Sequence, residues 1–116
     1  KITGQTIANY DAMWKKIIDA KPVRNNSIPG AFVKWDNTPR HGDRGQVNVG
    51  TPEKFKYYLS KQIKHAKNDY HEDMIFMYPW NEWAEGGYLE TDEDDKYGYL
   101  EAIKAALEEN NEFPNY

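Results

Sequence analysis

Two glutamates three residues apart, Glu82 and Glu85, are the strongest candidates for catalysis in this sequence. They lie in the stretch Trp-Asn-Glu-Trp-Ala-Glu over residues 80–85, just after the apolar run 74–78. On a strand the two side chains would point in opposite directions, but on a turn or a first helical turn they converge on one face. Paired carboxylates suit glycosidic bond chemistry, because burial or a neighbouring charge can keep one protonated while the other stays ionised.

The residues around this pair have two interpretations. Trp80 and Trp83 can offer flat apolar faces to a sugar ring or exclude water from a carboxylate, and Asn81 can hydrogen-bond a hydroxyl or orient Glu82. In the alternative, both tryptophans belong to the core and the glutamates are solvated. Spacing alone slightly favours that alternative.

A second polar stretch, residues 35–40, also follows an apolar run and contains Trp35, Asp36 and Arg40. Asp36 and Arg40 can bind hydroxyls or a phosphate, arginine through a bidentate fork. An Asx-type turn with Arg40 in solvent is the favoured alternative. If the two preceding strands are parallel, both polar stretches lie at the same edge of the sheet.

Metal and cofactor chemistry have little support. The acidic run 90–95 contains Asp-Glu-Asp, but Tyr97 stands where a calcium loop needs glycine, and charge runs are usually solvated. Of the histidines, His41 remains a possible ligand contact, whereas His65 is predicted on the surface. There is no glycine-rich phosphate loop, so we expect neither a metal nor a cofactor.

The periodicity of apolar residues predicts an α/β fold. A spacing of three and four residues indicates helices, and short apolar runs indicate strands, with residues 36–50 left irregular. Strands alternating with helices favour parallel βαβ units. Two strands are too few for a stable sheet, so the chain either pairs with something or is a slice of a larger α/β fold. The predicted helices span 6–20, 51–66 and 97–109, and the predicted strands span 28–35 and 74–78.

The composition of the chain limits the kinds of ligand and partner that it is expected to bind. The 116 residues fit a single unit, and the absence of cysteine excludes disulfide scaffolds and thiolate sites. A net charge of -4 disfavours nucleic acid and anionic membrane surfaces, and 4 Trp and 9 Tyr suit a polyhydroxylated ligand. No apolar run is long enough to span a membrane, and no signal peptide is evident. We therefore expect a cytoplasmic protein that binds a carbohydrate or glycan.

Several of these motifs resemble the C-terminal part of the WbsX-like glycosyltransferase family. The similarity extends over nearly the whole chain. It adds two residues to the candidate substrate-binding set, which then consists of Trp35, Asp36, Arg40, Trp80, Asn81, Trp83, Tyr88 and Glu90. Departures occur at Tyr78-Pro79, where the family often has Asn-Ala, and at Thr91, where it often has Pro. The matching stretches are residues 10–14, 35–40, 80–86, 89–92 and 97–102.

The family is similar in turn to glycoside hydrolase family 99, whose members are (β/α)₈ barrels that cleave α-mannosides. The resemblance implies that Glu82 is the base toward the sugar's own 2-hydroxyl. It implies that Glu85 protonates the leaving oxygen and later activates water or an acceptor hydroxyl. The chain, residues 1–116, would then be a single unit, the C-terminal part of such a TIM-like barrel, and inactive in isolation.

The resemblance favours a bacterial glycosyltransferase of cell-surface polysaccharide biosynthesis, of lipopolysaccharide or O-antigen type. An endo-acting glycoside hydrolase of the family 99 type is the alternative within enzymes. A non-catalytic carbohydrate-binding fragment would keep Trp80, Trp83 and Tyr88 as a stacking platform and dispense with the glutamates. The expected protein partner is the remainder of the barrel or, for an interaction fragment, a second copy paired through open sheet edges.

Overall fold

The computed structural model describes residues 6–7 and 9–114. Short 3₁₀ turns cover Gly42–Arg44 and Trp83–Glu85, and a π-helical turn, Ala66–Tyr70, continues the third helix. The helices and strands follow in the order β1 (Thr6–Ile7), α1 (Tyr10–Asp19), β2 (Gly30–Phe32), β3 (Trp35–Asp36), α2 (Thr38–His41), β4 (Gln46–Asn48), α3 (Pro52–His65), β5 (Phe76–Tyr78), β6 (Asn81–Glu82), β7 (Gly87–Tyr88) and α4 (Gly98–Glu109).

The two longer helices are those that the sequence predicts. The α3 helix begins after Thr51, whose hydroxyl accepts a hydrogen bond from the backbone N–H of Lys54 at 3.2 Å, and Pro52 occupies its first turn. It continues into the π-helical turn and ends at His71, which has a left-handed φ of 55°. The α4 helix spans Gly98–Glu109, one residue shorter than predicted.

The first helix is shorter than predicted. Asn9 caps α1 by accepting a hydrogen bond from the Ala12 N–H at 3.0 Å, so the helix starts at Tyr10 and not at residue 6. Thr6–Ile7 is instead a strand that pairs in parallel with β4. Ile7 fits the helical spacing, but the cap residue that follows it separates it from the helix.

The parallel strand pair is confirmed. Strands β2 and β5 run side by side in parallel, with Phe32 opposite Tyr78, and α3 lies in the connection between them. The buried Gln62 of α3 donates a hydrogen bond to the carbonyl of Gly30 at 2.7 Å, which fixes the helix to β2. The chain therefore has the α/β class and the parallel βαβ arrangement that its periodicity predicts.

Residues 36–50 are not irregular, contrary to the prediction. They contain α2, a 3₁₀ turn and β4, and β3 pairs antiparallel with β4. The side chain of Asn37 accepts a hydrogen bond from the Gln46 N–H at 2.6 Å and closes this excursion. The run 28–35 accordingly divides into β2 and β3, because its second part pairs with a different strand.

The core lies between the strand pair and helices α1, α3 and α4. Trp14 is fully buried, and its ring stacks on Tyr58 at 5.6 Å between centroids and on Phe32 at 5.5 Å. His65 also belongs to this interior, which corrects its predicted surface position. Its Nδ1 lies 3.0 Å from Gln62 Oε1, whereas the neighbouring Lys64 and Lys67 are exposed.

The strand pair is exposed at the start of β5. Phe76 is 68% exposed, whereas the next residue, Met77, packs against the helical core. Alternation along a strand places these two side chains on opposite faces. Among the described residues, no helix has the length and apolar character needed to cross a membrane.

Candidate functional site

The site lies at the carboxyl ends of β2 and β5. Because the strands are parallel and in register, the chain leaves both at the same edge. The two polar stretches predicted to meet there do so: α2 packs against the 3₁₀ turn Trp83–Glu85, and the backbone of Gly86 lies against Asp36. The shared edge that parallel strands predict is confirmed.

A tight hairpin carries the two glutamates. Strands β6 and β7 pair antiparallel, with Glu82 opposite Gly87, and the 3₁₀ turn Trp83–Glu85 connects them. Gly86 completes the turn with a φ of 56°, a left-handed conformation that favours glycine. Glu82 therefore lies where β6 ends, and Glu85 lies at the end of the turn, so the pair is separated by a turn and not by a continuous strand.

Tyr78 links Glu85 to β5. Its hydroxyl donates a hydrogen bond to Glu85 Oε2 at 2.5 Å. Burial raises the pKa of Tyr78 well above its usual range, and the hydrogen bond to Glu85 and the charges of Glu85 and Glu82 raise it further. Glu82 and Glu85 are both half-buried.

Several aromatic rings lie in or beside the hairpin. Trp80 and Trp83 are 57% and 52% exposed, so the interpretation that they belong to the core is wrong. The Trp83 ring lies 4.3 Å from that of Tyr88, and the Trp35 ring lies 5.6 Å from that of Tyr78. Trp35 and Tyr78 also line a cavity of about 300 Å³, with Met13, Ile17, Phe32, Gln46 and Asn48 as its other walls.

The buried cation of Lys34 lies against Tyr88, whose ring contacts Trp83. Lys34 is 5% exposed, and its Nζ lies 3.8 Å from the centre of the Tyr88 ring, a cation–π contact. Its Nζ also lies 3.7 Å from Asp92 and 3.5 Å from Asp95. The Tyr88 hydroxyl donates to Asp92 at 2.6 Å, and burial together with this hydrogen bond raises the pKa of Tyr88.

The acidic run is therefore only partly solvated, contrary to the prediction. Asp92 accepts hydrogen bonds from the Tyr88 hydroxyl and from the backbone N–H groups of Asp95 and Lys96. These contacts fold the run back onto Lys34. Within the part of the chain that the structure describes, no three His, Asp or Glu side chains converge as a metal ion would require.

The remaining candidates divide into paired and exposed side chains. Asp36 Oδ1 accepts from the N–H and hydroxyl of Thr38, an Asx-type turn, and Arg40 is exposed, as the alternative interpretation of this stretch predicts. Asn81 donates to Glu90 at 2.9 Å and so orients that residue instead of Glu82. His41 is exposed on α2.

Two residues of this site, Lys34 and Tyr78, are not among the sequence-based candidates. Lys34 interrupts the apolar run 31–35. A lysine in a buried strand needs charged or polar partners, so its position is a signal that such partners are present. Tyr78 carries the weaker signal of a hydroxyl at the end of a buried strand, directly before the catalytic candidates. Its contact with Glu85 depends on the hairpin and cannot be read from spacing.

We expect Gly86→Ala to lower the free energy of unfolding of the full-length protein by about 2–4 kcal/mol. A Cβ at Gly86 would lie 2.9 Å from the carbonyl oxygen of Asp36, in addition to the strain of its positive φ. His71 is exposed and has a similar left-handed backbone, with a φ of 55° and a ψ of 43°. His71→Gly therefore measures the backbone preference alone, as a gain of about 1 kcal/mol. A loss in Gly86→Ala no larger than this gain in denaturant unfolding would contradict the Gly86–Asp36 contact.

Comparison with known proteins agrees with the resemblance in the motifs. Two curated relatives from strains of Xanthomonas campestris pv. campestris, each named as the uncharacterized protein WxcX, are 32% identical over 101 residues. The alignment covers 81% of this chain and 14% of each relative, so the chain spans a small part of their length. No solved structure matches it. The sequence model of the family described as glycosyltransferase WbsX matches residues 1–103, and the chain belongs to that family.

Proposed function

We propose that this chain carries the acid–base pair of a glycosyltransferase that assembles a cell-surface polysaccharide of lipopolysaccharide or O-antigen type. Membership of the WbsX family supports the reaction class and a carbohydrate substrate. The observation that carries the proposal is the hairpin that places the half-buried Glu82 and Glu85 at the start and the end of one 3₁₀ turn, at the carboxyl edge of two parallel strands. Ligands usually bind at this edge in α/β folds.

In the first step Glu82 takes the proton of the sugar's 2-hydroxyl as that oxygen attacks the anomeric carbon. Glu85 donates a proton to the leaving oxygen as the glycosidic bond breaks. In the second step Glu85, now ionised, takes a proton from the acceptor hydroxyl, whose oxygen attacks the anomeric carbon. The bond between the anomeric carbon and the 2-oxygen breaks, and Glu82 returns its proton to the 2-oxygen. Each glutamate ends as it began, so the pair is catalytic.

The exposed aromatic side chains support a sugar as the substrate. Trp80 and Trp83 present about half of their surface, and flat rings of this kind pack on the apolar faces of sugar rings. Tyr88 extends this surface through its contact with Trp83. The cavity beside Trp35 and Tyr78 is, at about 300 Å³, at the lower end of the volumes typical of ligand pockets. In this proposal, Asp36, Arg40, Asn81 and Glu90 contribute polar contacts at the rim.

The fold of the full-length protein forms part of the proposal. We infer that residues 1–116 are one unit of a (β/α)₈ barrel and form its C-terminal part. The parallel pair β2–β5, the connecting helix α3 and the exposed Phe76 support this, because in a barrel the side chains of other strands would pack against Phe76. The isolated unit would lack the remaining walls of the site, so we expect no turnover from it.

The test uses the full-length protein with an oligosaccharide, either in water alone or with nucleotide-sugar donors. Donor-dependent growth of the oligosaccharide is the expected result, measured by mass spectrometry. Release of reducing ends without a donor would instead support a glycoside hydrolase of the family 99 type. Binding of the oligosaccharide with neither product would favour a carbohydrate-binding fragment and overturn the proposed reaction.

A further inference from the structure

Tyr78 occupies a fixed position between the two polar stretches of the site. It is the last residue of β5, and its ring packs against Trp35 of β3. A Cβ added at Gly87 would lie 2.8 Å from the Tyr78 ring, so the hairpin backbone confines the ring from another side. A ring held in this way cannot swing its hydroxyl toward a different partner without moving the hairpin.

The hydroxyl is directed at one oxygen of one glutamate. It donates to Glu85 Oε2 at 2.5 Å, which gives this oxygen a fixed partner. A carboxyl group that exchanges a proton with a substrate needs one oxygen free and aimed at the reacting atom. With Oε2 held by Tyr78, Oε1 is the oxygen left for that exchange.

We propose that Tyr78 is a positioning residue of the acid–base pair, which holds Oε2 of Glu85 so that Oε1 transfers the proton. This inference rests on the proposed function. It also separates the two glutamates, because the Tyr78 hydroxyl binds Glu85 and not Glu82. The glutamate that must first give a proton and then take one is thus the one whose orientation is fixed.

Burial and the two neighbouring charges keep Tyr78 protonated. They raise its pKa well above the usual range, so the hydroxyl stays a donor at neutral and moderately alkaline pH. The hydrogen bond is therefore present throughout the pH range in which the reaction would run.

The chain contains a matched control. Tyr58 on α3 donates to Asp11 Oδ1 at the same distance, 2.5 Å, and this bond raises its pKa to about 12. Asp11 and Tyr58 lie in the α1–α3 interface and not in the hairpin. Tyr58→Phe removes an equivalent tyrosine–carboxylate hydrogen bond outside the site. It therefore measures how far the loss of such a bond affects turnover through structure alone.

The first test needs no activity. The full-length protein is labelled with 3-fluorotyrosine, and the ¹⁹F signal of Tyr78 is identified by its loss in Tyr78→Phe. We expect this signal to move in Glu85→Gln and to stay in place in Glu93→Gln, which changes an exposed glutamate of the acidic run. A Tyr78 signal that ignores Glu85→Gln would overturn the proposal, whether or not the protein is an enzyme.

The second test measures turnover. Tyr78→Phe is expected to lower kcat by roughly 10–100-fold with KM nearly unchanged, while Tyr58→Phe keeps kcat within about twofold. A loss that falls on KM instead of kcat, or the same kcat loss in Tyr58→Phe, would make Tyr78 a structural residue. Failure of the proposed function would leave the ¹⁹F result intact, so the two failures are distinguishable.

Discussion

Glutamine at position 82 or 85 is expected to lower the kcat of the full-length protein by about 100–10,000-fold, the usual contribution of a general acid or base. Glutamine keeps the size and the hydrogen-bonding capacity of glutamate but cannot accept or donate the transferred proton. Glycan affinity should change by no more than a few-fold, because the aromatic surface of Trp80 and Trp83 is untouched. Initial rates and titration calorimetry with the same oligosaccharide measure the two quantities.

The two variants should differ from each other with an activated substrate. A leaving group that departs without a proton removes the first task of Glu85, so Glu85→Gln should lose less with it than with an ordinary glycosidic oxygen. Glu82→Gln should lose equally with both, because the 2-hydroxyl must still be deprotonated. Glu93→Gln is the control, since its side chain is exposed in the acidic run. Turnover within tenfold of the wild type in both site variants would refute the acid–base pair.

The sequence predicts the parts of this fold whose causes are local. The α3 helix follows from its Thr51 cap, Pro52 and apolar stripe, and the parallel pairing of β2 and β5 follows from the alternation of strands with helices. The predicted start of α1 is wrong. Ile7 fits the helical spacing, but the N-cap at Asn9 starts the helix only at Tyr10. The predicted surface position of His65 is wrong because residues adjacent in sequence lie on different faces of a helix, so exposed lysines beside it do not make it exposed.

The site divides in the same way. That residues 35–40 and 80–85 meet follows from the rule that parallel strands end at one edge. The roles of Lys34 and Tyr78 cannot be predicted, because each acts on residues brought close by the hairpin or by the folded acidic run. The core position that spacing slightly favours for Trp80 and Trp83 is wrong, since spacing does not distinguish a core tryptophan from a surface one. Long-range packing fixes these features, and periodicity does not report it.

The second large effect concerns the buried cation. Lys34→Met is expected to destabilise the acidic run by about 3 kcal/mol, because it leaves Asp92, with a side chain 13% exposed, without its buried positive partner. The loss also removes the cation–π contact with Tyr88, whose hydroxyl holds Asp92. Methionine fills a similar volume, so the change isolates the charge. Tyr88 and, through it, Trp83 should become less ordered.

The same cluster predicts a pH dependence. The hydrogen bond from Tyr88, the backbone N–H groups of Asp95 and Lys96, and the charge of Lys34 hold the pKa of Asp92 below its usual value of 3.8. Because the folded pKa is the lower one, Asp92 contributes its full stability above about pH 4 and loses it as pH falls through the folded pKa. Lys34→Met should weaken this acid-side dependence.

Hydrogen exchange gives a local measurement that suits a long protein. The Asp95 and Lys96 amides both donate to Asp92 Oδ1, so their exchange reports the opening of this run. In Lys34→Met their exchange should accelerate by roughly 100-fold at neutral pH, the equivalent of about 3 kcal/mol. Lys104→Met is the control, because Lys104 pairs with Glu108 on an exposed helix face, where such pairs contribute at most about 1 kcal/mol. Unchanged exchange at both amides would show that Lys34 does not anchor the acidic run, and its contact with Tyr88 would then have no part in holding the aromatic surface.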